Sequence, residues 1–178
     1  PRNFASPAVR KFMEHYGGTR IVSIQVCRYP ILKVIDKLLN FLSLGKFSAT
    51  KKKYHYDDLF HLFMLIEVEN SKGRRFGVIS ERNHVVNIAM AKESDYNPGV
   101  KGACMDVPYD KNQTLAEFVD NGVQSDPNFW IYDPITNNCQ DYTLNMLRSN
   151  GILTPPLKEF VKQNASELVQ PLVGKFAR

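Results

Sequence analysis

The chain has no long hydrophobic run. Its most apolar stretch, Leu62 to Ile66, is far short of the ~20 residues that a membrane helix needs. The first thirty residues also lack a signal-peptide pattern, so a soluble protein is expected. Cysteine is scarce: Cys27, Cys104 and Cys139 are an odd number at wide spacing, which argues against a disulfide framework and fits a reducing compartment. There is no Cys-x-x-Cys and no His-x-x-x-His pair, so neither a metal nor a cofactor is expected. Internal repeats and low-complexity linkers are absent too. Residues 1–178 are therefore read as one domain, with a core over about 20–150, an N-terminal helical extension at 1–19 and a C-terminal one at 151–178. Beginning at Pro1 fits a trimmed N-terminus and an arbitrary boundary equally well, so localisation does not follow from it.

What is present describes a globular α+β protein. With 43% hydrophobic and 23% charged residues, a disordered chain or a fibrous repeat is excluded. The net charge of +5 is concentrated in Lys51, Lys52 and Lys53, in Arg74 and Arg75, and in the last helical segment. Such a surface could favour an acidic partner such as nucleic acid or anionic lipid. No aromatic platform or nucleic-acid motif accompanies it, so an ordinary solvated face is the expectation.

Patterning predicts the elements in turn. Ala8 to Tyr16 is amphipathic and stopped by Gly17-Gly18, a short helix; Arg20 to Tyr29 alternates Ile and Val with polar residues, a strand holding Cys27. After Pro30, Ile31, Val34, Ile35, Leu38, Leu39 and Leu42 recur at helical spacing, which predicts a helix packed on the core rather than on a membrane. Lys46 to Tyr56 reads as a loop. His61 to Glu69 is the strongest strand signal, joined through Asn70 to Gly73 to a second run, Arg74 to Ile88, as a hairpin. Lys92 to Gln113 reads as an insertion-like loop, Leu115 to Asp120 as a helix capped by Asn121-Gly122, and Phe129 to Tyr132 as a short aromatic strand. Asn138 suits the N-cap of a helix from Cys139 to about Arg148, and Leu157 to Leu168 reads as the last helix.

This places Cys139 in a first helical turn, where unpaired amides and the positive helix end favour a thiolate. Its own amide could donate to an oxyanion. Thiol catalysis also needs a base and a group to orient it. Folding the hairpin about Ser71-Lys72 makes paired residue numbers sum to about 143 and sets His61 within one residue of Glu81, Arg82 or Asn83. Glu81 is the natural orienting carboxylate, with Asn83 or His84 as alternatives should the register slip. Cys27 is expected to be a small buried hydrophobe and Cys104 a loop residue. Phe129, Trp130 and Tyr132 could line an apolar pocket or belong to the sheet core.

The segments Phe60-His61-Leu62-Phe63-Met64 and Asn137-Asn138-Cys139-Gln140-Asp141-Tyr142 resemble the circularly permuted NlpC-type papain-like hydrolases, the group that includes lecithin retinol acyltransferase. In that group the histidine strand precedes the cysteine helix, as here, and a viral member is one reading. The resemblance covers about Tyr56 to Asn150. It implies a papain-like core, an antiparallel sheet bearing His61 packed against a helix bearing Cys139. The acyltransferase branch carries a second histidine and a glutamate after its cysteine where this chain has Glu81 and Gln140.

Two functional readings follow. In the first, Cys139 forms an acyl-enzyme, His61 acts as base and then acid, and Glu81 holds its tautomer; the substrate is a peptide, an isopeptide or a lipid ester. In the second, the domain is catalytically inactive and serves as a structural or interaction module, in a virion or another assembly.

Overall fold

Strands form here because β-branched and aromatic residues alternate with polar ones over lengths too short for helices. The computed structural model describes residues 5–30, 60–96, 103–133 and 136–162. Their order is α1 (Pro7–Tyr16), β1 (Arg20–Pro30), β2 (Phe60–Glu69), β3 (Arg75–Arg82), β4 (Val86–Met90), α2 (Glu93–Tyr96), β5 (Ala103–Asp106), α3 (Leu115–Ser125), α4 (Cys139–Ser149) and α5 (Pro155–Lys162). The predicted helix after Pro30, the basic loop with Lys51, Lys52 and Lys53, and the end of the C-terminal helix lie outside the described residues.

The strands make one antiparallel sheet in the order β4-β3-β2-β1-β5. The β2–β3 turn is built on Asn70, whose Oδ1 accepts the Lys72 and Arg74 amides at 3.0 Å each, while Gly73 takes φ 76°, a region that favours glycine. Paired residue numbers on β2 and β3 sum to 144, with Phe63 opposite Glu81 and Glu69 opposite Arg75. The second run of the hairpin is not one strand. It breaks at Asn83 to Val85 and returns as β4.

Because side chains alternate across a strand, each strand divides its residues between two faces. Ile24, Val26, Leu62, Met64, Ile66, Val78, Val86 and Ile88 form the larger core with the helices. Cys27, Phe63 and Ile79, with Leu65 and Ala89 beside them, make a smaller cluster on the opposite face. Helix α4 packs on β2 and β3, α3 and α5 pack on α4, and α1 lies against β4. Arg28, a further core-face residue of β1, secures α5: its Nη1 donates to the Phe160 carbonyl at 2.8 Å and its guanidinium lies 3.9 Å from the centroid of that ring.

Three expectations are corrected here. Helix α3 does not end at Asn121-Gly122; it runs on to Ser125, because Gly122 is where α3 meets Met146 and Phe129 most closely. Phe129 to Tyr132 forms no strand, and Phe129 is instead a buried core ring, 5.4 Å from that of Tyr142. The loop over Lys92 to Gln113 contains α2 and an edge strand, β5, whose Cys104 stands opposite Cys27 and is joined to it as a disulfide. That bond overturns the expectation of a reducing compartment. An oxidising one is the setting in which such bonds persist.

Peptide mapping without reductant should recover Cys27 linked to Cys104 and a single alkylatable thiol at Cys139. The bond closes a sequence separation of 77 residues. Its removal in the paired Cys27→Ser, Cys104→Ser variant should lower unfolding free energy by about 2–4 kcal/mol in denaturant titration. Gly122→Ala should cost about 1–3 kcal/mol, since a Cβ there would lie 3.0 Å from Phe129 Cε2 and meet the Met146 sulfur.

Candidate functional site

Helix α4 begins at Asn138, whose side-chain Oδ1 accepts the amides of Gln140 at 3.0 Å and Asp141 at 3.1 Å. The Asp141 carboxylate accepts the Asn138 amide in return, at 3.2 Å, completing a reciprocal cap. Cys139 is therefore the first residue of the helix. It is the cysteine outside the disulfide, and it is only 4% exposed, within the core that also holds Tyr142 and Met146. Gln140 reaches away from the thiol and donates to the Val161 carbonyl at 3.0 Å, which fastens α4 to α5.

Beneath this helix end lies a buried polar layer that sequence patterning does not single out. Ser80 Oγ and Tyr142 Oη are 2.7 Å apart, and burial pushes the Tyr142 phenol up to about 12. Arg82 is 2% exposed and donates through Nη1 to the backbone carbonyl of Asn137 at 3.1 Å and to its side-chain oxygen. Asn137 in turn donates through Nδ2 to the carbonyls of Asn128 and Ile131, at 2.7 Å each. A single side chain thus pins the segment before α4 to the sheet. Burial lowers the Arg82 pKa, opposed by the nearby Tyr142, Asp126, Asp141 and Cys139. The guanidinium stands 5.1 Å from the Tyr142 ring centroid and 6.0 Å from that of Phe129. These π faces offset part of its lost hydration. The available signal was the run Ser80-Glu81-Arg82, three polar residues closing an apolar strand.

His61 and Glu81 meet on the other side of the sheet. His61 Nε2 lies against Glu81 Oε2, and Asn87 Nδ2 donates to Glu81 Oε1 at 3.0 Å. The His61 ring is 5.3 Å from that of Phe63, a residue of the smaller cluster. Ser80 and Arg82 contact Tyr142 of α4, so Glu81 between them faces away. Leu62, Met64 and Ile66 likewise belong to the core under α4, whereas Phe63 does not. Asn83 is exposed, and the ring of His84 packs 5.3 Å from that of Tyr132.

The thickness of the sheet thus stands between the imidazole and the thiol, and the imidazole pairs with Glu81 rather than with a cysteine nucleophile. Two of the three thiols are consumed in a disulfide and the third is buried. This overturns the reading of Cys139 and His61 as nucleophile and base of a hydrolase or acyltransferase. The peptide, isopeptide and lipid-ester substrates inferred from it fall with it.

No family model matches the chain, and neither a curated protein nor a solved structure matches it significantly. Thiol-protease and NlpC-like descriptions therefore gain no support from comparison. Among the described residues there is no cluster of three or more metal-ligating side chains, and no helix is long and apolar enough to cross a membrane. Of the basic residues proposed for an acidic partner, Arg75 is held by Glu69 at 2.8 Å and Glu67 at 3.4 Å, while Arg74 is exposed.

Burial alone would raise the Glu81 pKa, but hydrogen bonds from His61 and Asn87 outweigh it and hold the carboxyl below its ordinary value. A carboxyl depressed on folding stabilises the fold above its unfolded pKa, and that stability is lost as pH falls through the folded value. Glu81→Gln should therefore destabilise the protein at pH 7 by about 1–3 kcal/mol, the cost of a charged hydrogen bond lost from a buried site. The gap between variant and parent in urea titrations should narrow as pH drops below the ordinary carboxylate range. A gap independent of pH would show that the Glu81 charge contributes nothing.

Proposed function

We propose that this chain is a catalytically inactive α+β domain on a papain-like scaffold, acting as a structural or interaction module. The observation that carries this reading is the sheet lying between His61 and Cys139, with the thiol sealed in the core. Support for the papain-like scaffold is the chain order: an antiparallel sheet with a histidine near the start of β2, followed much later by a cysteine opening α4. The polar groups near α4 are engaged in holding structure. Arg82 and Asn137 anchor a loop, Asn138 and Asp141 cap the helix, and Gln140 docks α5. A fold suited to one chemistry is often retained for binding after that chemistry is gone.

Thiol reactivity tests this directly. In the folded protein, Cys139 should react with iodoacetamide at least about a hundredfold more slowly than in the urea-unfolded chain, because reaction awaits local opening. His61→Ala should leave that rate unchanged. Rapid labelling of the folded chain below pH 8 that slows in His61→Ala would mean a paired thiolate and overturn the reading.

A further inference from the structure

The two cysteines of the disulfide differ in their access to solvent. Cys27 is fully buried beside Phe63 and Ile79, whereas Cys104, on the edge strand β5, is exposed. The Val107 amide donates to the Ile24 carbonyl at 3.0 Å, which fixes the phase of the β1–β5 ladder. Alternation then makes Val26 with Met105 and Arg28 with Ala103 hydrogen-bonded pairs. Cys27 with Cys104 is a non-hydrogen-bonded pair, the kind in which opposed side chains lie closest.

Apart from that bond, β5 is held lightly. Cys104 and Asp106 are exposed and Met105 is half-buried, while the opposite edge strand, β4, buries Val86 and Ile88. Among the described residues β5 pairs with β1 alone, over four residues, helped by a 2.8 Å hydrogen bond from Gln25 to Asp106 at the exposed surface. So short a strand, with so little apolar area buried, opens readily unless something ties it. The chain that follows is fixed: Val107 is buried in the larger core, and the Gln113 carbonyl accepts the Ile21 amide at 2.9 Å. Val107 is therefore the pivot on which β5 can turn.

We propose that the Cys27–Cys104 bond is a reducible latch: a dithiol reductant attacks Cys104, and β5 then leaves β1 while the rest of the fold stays in place. One thiolate of the reductant bonds to Cys104 Sγ, the bond to Cys27 breaks, and Cys27 departs as a thiolate that takes up a proton. The second thiol of the reductant then displaces Cys104, which is protonated in turn. Two electrons and two protons pass to the pair, and the dithiol is left as a disulfide. The fold tolerates this state because a reduced Cys27 is a small apolar side chain within an apolar cluster, and the larger core contains neither cysteine of the pair. Release of β5 uncovers the β1 amides and carbonyls of Val26 and Arg28, turning a closed edge into one able to pair with another strand. This inference does not rest on the non-catalytic reading, which concerns Cys139.

The test treats the full chain with dithiothreitol in native buffer, counts thiols by mass after alkylation in urea, and follows amide hydrogen exchange. The reduction rate should rise in proportion to dithiothreitol concentration, because the attacked sulfur is reached in the folded chain. On reduction the Val26, Arg28 and Met105 amides should exchange at least about tenfold faster, while the β2–β3 ladder keeps its protection and the far-ultraviolet circular dichroism is retained. Cys104→Ser should show the same fast amides without reductant; should that variant fail to fold, the reduced parent carries the test. A rate that levels off at the speed of global unfolding would mark an inaccessible structural bond and overturn the latch. Unchanged protection after reduction, or protection lost across the whole sheet, would overturn it equally. None of these outcomes touches the non-catalytic reading, which falls only to a reactive, His61-dependent Cys139.

Discussion

Pleating divides every strand of this sheet into two sets of side chains that cannot reach each other, and β3 shows what that imposes. Val78, Ser80 and Arg82 face the helices; Ile79 and Glu81 face the opposite side. The chain builds a separate polar cluster on each face from consecutive residues. One, Ser80 and Arg82 with Tyr142 and Asn137, positions α4 and the segment that leads into it. The other, Glu81 with His61 and Asn87, ties three strands together near one end of the sheet. Neither set can lend its groups to the other. A fold can thus possess the side chains of a catalytic site and still hold them too far apart to act.

Much of the framework was legible. Strands β1 and β2 were apparent from alternation of Ile and Val with polar residues, and α4 from a capping asparagine ahead of a helical run. The hairpin register was placed within a residue, since a turn built on Asn70 and Gly73 constrains what can lie opposite. What could not be read was parity. Proximity along a hairpin depends on the sum of residue numbers, but the face depends on whether a number is odd or even relative to the core, and helical residues such as Cys139 carry no such label. The docking of Tyr142 on Ser80 and Arg82 settles which face α4 covers.

The other misreadings share a cause. Strand β5 is four residues inside a segment rich in glycine and proline, too short for a periodic signal, and it exists because β1 offers it a ladder. Gly122 looks like a helix stop, but close contact with Met146 and Phe129 requires a residue without a side chain there. The partnership of Cys27 and Cys104 follows from strand order, which no local pattern reveals. In each case a tertiary contact overrides a local preference.

The disulfide also changes what a cut in the backbone means. Cys27 and Cys104 bracket β2, β3 and β4, so one covalent ring takes in three of the five strands of the sheet. A protease that nicks the chain once anywhere between those two cysteines opens the ring without dividing the molecule. Its two pieces travel as one species until a reductant parts them. Cleavage outside the ring, between β5 and α3 for example, leaves the halves with no covalent bond between them, and only non-covalent packing, such as that of α4 on β2 and β3, then holds them together.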